Sequence, residues 1–352
     1  MKRNNKAHII NYPQEKLRKR EHVRFFERCL KLVPQHYSLL DSQRMTIAFF
    51  SISGLDVLNS LDIFNENQAK SIINWIYSLQ VYDDEGELAG FQGSTAFNYL
   101  KERSTYKCGA IAHTYTALST LLILGDDLSR VHRQSIVRSL RKLQRPDGNF
   151  TASLVGSESD MRFVYCAACI SYILDDWSGM DIDKTVEFIL NSISYDFAIG
   201  QCPETESHGG STFCAVATLA LANRLDSLSQ NQRDGLIRWL LMKQGQGFHG
   251  RPNKPDDTCY SFWVVAALKI LNAFEFINIE KNREYIMTTQ NLITGGFAKQ
   301  VDNSSDALHT YFGLCGLSLM NEKGLKKIMP SLAISLQTAE RLKSIHEHWR
   351  AQ

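Results

Sequence analysis

Three residues in the C-terminal part of the sequence have side chains that are suited to a zinc site. Asp257, Cys259 and His309 offer one oxygen, one sulfur and one nitrogen ligand. Three protein ligands leave a fourth position open on the metal, as catalytic zinc requires. The D-x-C motif is common, however, and Cys259 also fits a buried core thiol. From the residues alone, both interpretations stay open.

A basic loop precedes this trio. Segment 249–254 (HGRPNK) carries Arg251 and Lys254, and together with His208 and Tyr260 it offers the donors that bind a polyanion such as diphosphate. A solvated basic turn has the same composition, so this interpretation also has an alternative. The sequence contains no glycine-rich phosphate loop, no Ser/His/Asp arrangement and no dinucleotide-binding fingerprint.

An internal repeat positions these residues. Five segments share an aromatic residue followed closely by small residues, and these markers stand 48 to 50 residues apart: Tyr115, Tyr165, Phe213, Phe262 and Phe312. Such a period is typical of stacked supersecondary units. Five residues before a marker stand Asp160, His208 and Asp257. Three residues before a marker stand Arg162, Cys259 and His309. We therefore expect these polar groups around one mouth of a central cavity.

Each repeat combines a glycine-containing turn, a strongly apolar helix and an amphipathic helix. The apolar helices, such as Phe163–Leu174 and Thr212–Ala222, are predicted to be inner, and Cys166-x-x-Cys169 within one of them is interpreted as packing. The amphipathic helix Arg130–Leu143 is predicted to be outer, with an apolar stripe of Val131, Ile136, Val137, Leu140 and Leu143. The pattern predicts an all-α fold, a two-layer α/α toroid, with an open α-solenoid as the alternative. A ring of inner-helix aromatic residues, Trp263 among them, would line an apolar tunnel.

Composition excludes several functional classes. The 352 residues carry a formal charge of +2, which provides no basic field for nucleic acid. No apolar run reaches the roughly 18 residues of a membrane span, and the basic N-terminus lacks the apolar stretch of a secretory signal. The 8 cysteines are therefore expected to be reduced thiols in a cytoplasmic protein that is not an integral membrane protein. Residues 1–18 are predicted to be loosely ordered, and residues 19–352 to form a single domain.

Three long motifs resemble the β subunits of protein prenyltransferases, and most of all the type I geranylgeranyl enzymes. They are SHGGSTFC at 207–214, HGRPNKPDDTCYSFW at 249–263 and GGFAKQVDNSSDALHTYFGLCGLSL at 295–319. The resemblance implies an α/α toroid that binds an α subunit in an obligate heterodimer. It also implies transfer of an isoprenoid, from geranylgeranyl diphosphate, to the cysteine of a C-terminal CaaX motif on proteins such as small GTPases, with Leu or Phe favoured at the last position.

The resemblance also assigns roles to individual residues. One Zn²⁺ per β subunit is bound by Asp257, Cys259 and His309, where it holds the acceptor thiol as a thiolate. Diphosphate is bound, and its departure assisted, by His208, Arg251, Lys254 and Tyr260. The isoprenoid tunnel is lined by Thr46, Phe50, Tyr115, Tyr165, Trp263 and Leu308. The acceptor peptide lies near Arg162 and Phe163.

Three substitutions bear on the expected activity. Lys299 stands where farnesyl-transferring relatives have a magnesium-binding Asp, which predicts a catalytic Lys and no need for magnesium. Thr46 stands where those relatives have a Trp, which predicts room for a fourth isoprene unit. Ala110 replaces a His of type I relatives, which puts the preference for the last residue of the acceptor in doubt. Loop Asn98–Lys107 is also short compared with relatives. The alternatives are a farnesyltransferase β subunit, a Rab-type geranylgeranyltransferase β subunit and a non-catalytic helical scaffold.

Overall fold

A computed structural model gives the fold and describes residues 16–32, 35–82, 89–96, 108–156 and 158–351. Within these ranges there are thirteen α-helices, and the only named strands form two short antiparallel pairs. The strands are β1 (Gln80–Val81), β2 (Gly90–Phe91), β3 (Ile328–Met329) and β4 (Ile334–Ser335). The helices are α1 (Lys19–Lys31), α2 (Arg44–Val57), α3 (Glu66–Ser78), α4 (Ile111–Ile123), α5 (Arg133–Leu143), α6 (Met161–Ile173), α7 (Ile182–Asn191), α8 (Gly209–Leu221), α9 (Gln230–Leu241), α10 (Tyr260–Ile270), α11 (Ile279–Thr288), α12 (Ala307–Leu319) and α13 (Leu336–Ala351).

Six helices form the inner layer of a closed barrel: α2, α4, α6, α8, α10 and α12. Each packs against the next, and α12 packs against α2. Their first turns lie together, since Tyr260 in α10 contacts His208 before α8, and Asp257 before α10 contacts His309 in α12. The inner helices therefore run in one direction. The predicted α/α toroid is confirmed, and because the ring closes, the open α-solenoid is wrong.

All six inner helices end in the same kind of turn. Each is followed by a residue with a left-handed φ between 50° and 89°: Asn59, Gly125, Asp175, Asn223, Asn272 and Asn321. Gly, Asn and Asp tolerate this conformation. The next N–H then reaches back to the last helical turn, as where Asp126 donates to the Leu121 carbonyl at 3.0 Å. Each inner helix thus ends at a turn formed by a Gly, Asn or Asp that the sequence places shortly after it.

Glutamines that precede inner helices hold the starts of outer helices. The Gln144 and Gln244 amides each bond both backbone groups of the residue that caps the next outer helix, Asp181 and Asn278. Gln290, just before α12, accepts the Arg18 N–H at 2.7 Å and donates to the Lys16 carbonyl at 3.2 Å. Helix α1 therefore takes the outer position that follows α12 in the ring, where it packs against both α2 and α12, although α1 and α12 stand far apart in sequence. Of the predicted loose segment 1–18, the first 15 residues lie outside the described residues.

His22 completes this junction between α1 and α12. Its Nδ1 accepts the Gly296 N–H at 2.9 Å, its Nε2 lies 2.9 Å from Oε1 of Gln290, and its ring stacks on Phe297. Burial lowers the pKa of His22 to about 4. The imidazole is therefore neutral at pH 7, and Nε2 carries the proton that Gln290 accepts.

Aromatic side chains in the first two turns of the inner helices close into a ring. Neighbouring centroids are 5.1–5.8 Å apart around Phe49, Tyr115, Tyr165, Phe213, Phe262, Phe312 and Phe50. The predicted aromatic ring thus exists, but it passes through Phe262, because Trp263 lies beside it and packs edge-on against Phe312 at 5.2 Å.

The turn between β3 and β4 closes the far end of the barrel. Three ring-level tyrosine hydroxyls donate to three successive carbonyls of this turn: Tyr165 to Ser331 at 3.2 Å, Tyr115 to Leu332 at 3.3 Å, and Tyr311 to Ala333. The neighbouring Lys326 N–H donates to the Val57 carbonyl at the end of α2. The barrel is therefore blind, with its open mouth at the helix N-termini.

The predicted helix bounds differ from the observed ones by a few residues. The outer helix expected over Arg130–Leu143 begins at Arg133, because residues 128–132 form a turn held by Asp126. The inner helices α6 and α8 begin two and three residues earlier than predicted. They start directly after the capping residues Asp160 and His208. The apolar stripe of α5 is buried as expected. In the described ranges, no helix is both long and apolar enough to cross a membrane.

Candidate active site

Asp257, Cys259 and His309 come together at the starts of α10 and α12. Their ligand atoms all lie within 4.8 Å of one another, and Oδ1 of Asp257 is 3.3 Å from Nε2 of His309. Ligand atoms of a tetrahedral zinc site are roughly 3.3–3.8 Å apart. Asp257 and Cys259 are buried and His309 is half-buried. The three ligand types and the distances between their ligand atoms fit a zinc ion after small movements of the side chains.

Proton affinities in this cluster reflect its burial and its two carboxylates. Burial alone would lower the pKa of His309, but Asp257 and Asp306 raise it to about 9. Burial and the adjacent Asp257 raise the pKa of the Cys259 thiol well above its usual value. Burial opposes ionisation of Asp257, yet bonds from His309 and Cys259 hold the pKa of its carboxyl below the usual value. A divalent cation that binds here displaces protons from Cys259 and His309.

Asp306 is a functional residue that the sequence analysis missed. Its Oδ1 caps α12 by accepting the His309 N–H at 2.9 Å, and its Oδ2 lies 2.6 Å from Nδ1 of His309. A carboxylate on Nδ1 fixes the tautomer of the ring and directs Nε2 toward the metal position. The available signal was an Asp three residues before a His at a predicted helix start.

His208 and Tyr260 form the core of an anion site beside the metal cluster. Nδ1 of His208 caps α8 by accepting the N–H groups of Gly210 and Ser211 at 3.0 and 3.3 Å. In the neutral ring the proton is therefore on Nε2, which donates to the Tyr260 hydroxyl oxygen at 2.9 Å. Burial, and after it Arg251, lowers the pKa of His208, which favours this neutral form. The Tyr260 hydroxyl proton is left to bind an anion.

The basic loop before α10 carries two cations, of which Arg251 lies near this pair. Arg251 is half-exposed and pairs with Glu206 at 3.0 Å, and Lys254 is exposed, with no ion pair among the described residues. The N-terminus of α8 also points its positive dipole end at this place, although its first N–H groups are already bonded to His208 and Gly250. Of the four groups predicted to bind diphosphate, His208, Tyr260 and Arg251 thus lie together, and Lys254 is an exposed residue of the same loop as Arg251.

Lys299 stands next to the metal cluster. Its Nζ is 3.9 Å from Oδ2 of Asp257, and its side chain is about half exposed. Its backbone carbonyl accepts the Thr258 N–H at 3.0 Å, which ties the segment before α12 to the start of α10. The ammonium therefore lies at the solvent-exposed side of the cluster.

The residues predicted to line the lipid tunnel all lie on inner helices of the barrel. Phe50, Tyr115 and Tyr165 belong to the aromatic ring that forms its floor. Thr46 and Leu308 are half-buried in the first turns of α2 and α12. No hydrogen bond of the Thr46 hydroxyl to its own helix is present in the described part of the chain. This favours a cavity-lining role over the helix back-bond that Thr often makes.

The predicted acceptor residues lie across the mouth from the metal. The Arg162 guanidinium is bound by Asp160 at 2.6 Å and Glu158 at 2.7 Å, and it lies 5.3 Å from the centroid of the Phe163 ring. Ala110 caps α4 without a side-chain hydrogen bond. The short loop at Asn98–Lys107 lies outside the described residues.

Comparison with known proteins agrees with this architecture. Residues 17–334 match the prenyltransferase alpha-alpha toroid domain. The chain is 37% identical over 350 residues to the geranylgeranyl transferase type-1 subunit beta of Arabidopsis thaliana, covering 94% of this chain and 92% of the relative. It is 37% identical over 338 residues to the same subunit of Dictyostelium discoideum, covering 90% and 95%. A Candida albicans protein geranylgeranyltransferase-I structure, complexed with GGPP, superposes with a TM-score of 0.86 at 26% identity, covering 94% of this chain and 99% of that one. The chain therefore belongs to the prenyltransferase family of α/α toroid proteins.

Proposed function

We propose that this chain is the catalytic β subunit of a type 1 protein geranylgeranyltransferase that works with a prenyltransferase α subunit. It transfers the geranylgeranyl group of geranylgeranyl diphosphate to the cysteine of a C-terminal CaaX motif, in the cytoplasm. One observation carries the proposal: Cys259 of the metal cluster and Tyr260 of the anion site are consecutive residues at the end of a barrel whose interior carries a ring of aromatic side chains.

In the reaction, a bond forms between the acceptor sulfur and C1 of the lipid, and the bond between C1 and the diphosphate oxygen breaks. Zinc held by Asp257, Cys259 and His309 supplies Lewis acidity that lowers the pKa of a thiol near it. Arg251, Lys254 and the Tyr260 hydroxyl bind the diphosphate and stabilise the charge that grows on it. His208 orients Tyr260, and Lys299 adds positive charge beside the metal cluster.

The cavity selects the donor by shape. Each CH₂ group buried in it contributes about 0.8 kcal/mol to binding, so a long isoprenoid chain binds strongly. Thr46 leaves room at the end of the tunnel for the fourth isoprene unit of a C20 chain. Phe163 and Arg162 contact the acceptor, and Ala110 makes the pocket for its last residue wider than a His would.

Transfer assays test the proposal directly. The chain is co-expressed with a prenyltransferase α subunit and given farnesyl or geranylgeranyl diphosphate with acceptors that end in Leu, Met or Ser. We expect the geranylgeranyl donor and the Leu acceptor to give the highest kcat/KM, with zinc and without magnesium. Preference for the farnesyl donor would show a farnesyltransferase instead. His309→Ala should lose both zinc and transfer, whereas His348→Ala on α13 should keep both.

A further inference from the structure

Glu206 is an acidic residue inside the otherwise cationic anion site. It lies two residues before His208, and its Oε2 is 3.0 Å from Nη1 of Arg251. The two side chains come from different loops, one before α8 and one before α10. Among the described residues, no other carboxylate forms an ion pair with Arg251 or Lys254. Glu206 therefore lies close to the place where the diphosphate is expected.

The fold does not require this carboxylate. Helix α8 is capped by His208, and Arg251 is the only hydrogen-bond or ion-pair partner of Glu206 in the described part of the chain. The Glu206 side chain is 60% exposed and that of Arg251 is 40% exposed. Exposed ion pairs of this kind are weak, so Arg251 can exchange its partner at little cost.

A carboxylate at this position has two opposite effects on a diphosphate. It holds the Arg251 guanidinium at the mouth while the site is empty, but it repels a bound anion through its own charge. Solvent screens this repulsion because the Glu206 side chain is exposed, but the carboxylate keeps its charge after Arg251 has turned to the ligand. A neutral hydrogen-bond acceptor of the same shape would hold Arg251 more weakly and would not repel the anion.

We propose that Glu206 is a competing carboxylate that weakens diphosphate binding at this site. After the bond between the lipid and the diphosphate has broken, Glu206 pairs with Arg251 again and so promotes release of the inorganic diphosphate product. The inference rests on the proposed function, because it assumes that Arg251 binds the diphosphate of the donor. The affinity of the site is then set below what its cations alone would give.

Two glutamine variants test this. Glu206→Gln keeps the size and one oxygen acceptor but removes the charge, and Glu204→Gln, an exposed residue of the same loop, is the matched control. Binding of inorganic diphosphate to the zinc-loaded heterodimer is measured by calorimetry. We expect Glu206→Gln to tighten binding about three- to tenfold, and Glu204→Gln to stay within about twofold of the unaltered protein.

The Arg251→Ala background separates the possible failures. In that background, the increase in diphosphate affinity caused by Glu206→Gln should be less than half of the increase seen with Arg251 present. The reason is that competition for Arg251 is part of the effect. If Glu206→Gln binds diphosphate equally or more weakly while Arg251→Ala loses affinity, Glu206 merely positions Arg251 and the inference is wrong. If the unaltered heterodimer binds no diphosphate at millimolar concentration, the proposed function itself fails.

Discussion

Replacing Asp306 by Asn should weaken zinc binding while the start of α12 stays intact. Asn is as good a helix cap as Asp, so its oxygen can still accept the His309 N–H. Its amide NH₂, however, then faces Nδ1 of His309, where the carboxylate now accepts a proton at 2.6 Å. Two donors cannot share that contact. The imidazole proton must therefore move to Nε2, the nitrogen that would bind the metal.

The size of the effect follows from the geometry. Loss of a carboxylate that orients a metal-binding His typically costs 10- to 100-fold in metal affinity, which corresponds to about 1.4–2.8 kcal/mol. The Asp306 side chain is 41% exposed, so solvent screens part of its charge. We therefore expect a loss of about tenfold for Asp306→Asn. Asp306→Ala should lose a similar amount of zinc affinity and, in addition, about 1 kcal/mol of unfolding free energy with the cap.

Zinc affinity is measured by competition with a chelator of known affinity, and stability by urea unfolding of the metal-free protein. Asp181→Asn is the control, because Asp181 caps α7 by accepting the Lys184 N–H at 3.1 Å, away from the metal cluster. It should leave zinc affinity unchanged. Unchanged zinc affinity in Asp306→Asn would refute the argument that Asp306 fixes the His309 tautomer.

Three further predictions concern other parts of the molecule. Thr46→Trp should shift the donor preference toward farnesyl diphosphate, since overpacking costs about 1–3 kcal/mol; an unchanged ratio of the two transfer rates would exclude Thr46 as the determinant. Lys299→Asp should make transfer rise with added magnesium, whereas strong magnesium dependence of the unaltered enzyme would contradict the role of Lys299. The pKa of His22 is about 4 when folded and 6.5 when unfolded, so its contribution to unfolding free energy is complete above pH 6.5 and is lost as the pH falls toward 4. Urea unfolding should show about 2 kcal/mol of this loss between pH 7.5 and 5, and His22→Gln should not show it.

The sequence was sufficient to predict the fold because its repeat is regular. Aromatic markers about 50 residues apart and apolar helices with amphipathic partners gave the inner and outer layers. The ends of the helices were less predictable: a capping side chain such as Asp160 begins a helix earlier than its apolar pattern does. The pairing of α1 with α12 had no local signal, because it depends on a contact between His22 and Gln290.

For the site, the frame brought Asp257, Cys259 and His309 to one mouth, and the structure places them within ligand distance. Residues that act through a neighbour escaped the analysis. Asp306 and Glu206 stand at neither of the two frame positions that were compared, and carboxylates are common at protein surfaces, so their roles appear only once their partners His309 and Arg251 are located. Their importance comes from tertiary contacts, which spacing along the chain does not encode.

The pairing of α1 with α12 determines the order in which this molecule can be completed. A ribosome makes α1 first, but its hydrogen-bond partner Gln290 follows 268 residues after His22. Until then the growing chain is an open arc with two uncovered apolar edges, on α2 and on the last inner helix made. Contacts so distant in sequence form slowly, and exposed apolar surface promotes aggregation during the wait. Nascent chains of this protein should therefore depend on chaperones until the final inner helix has left the ribosome.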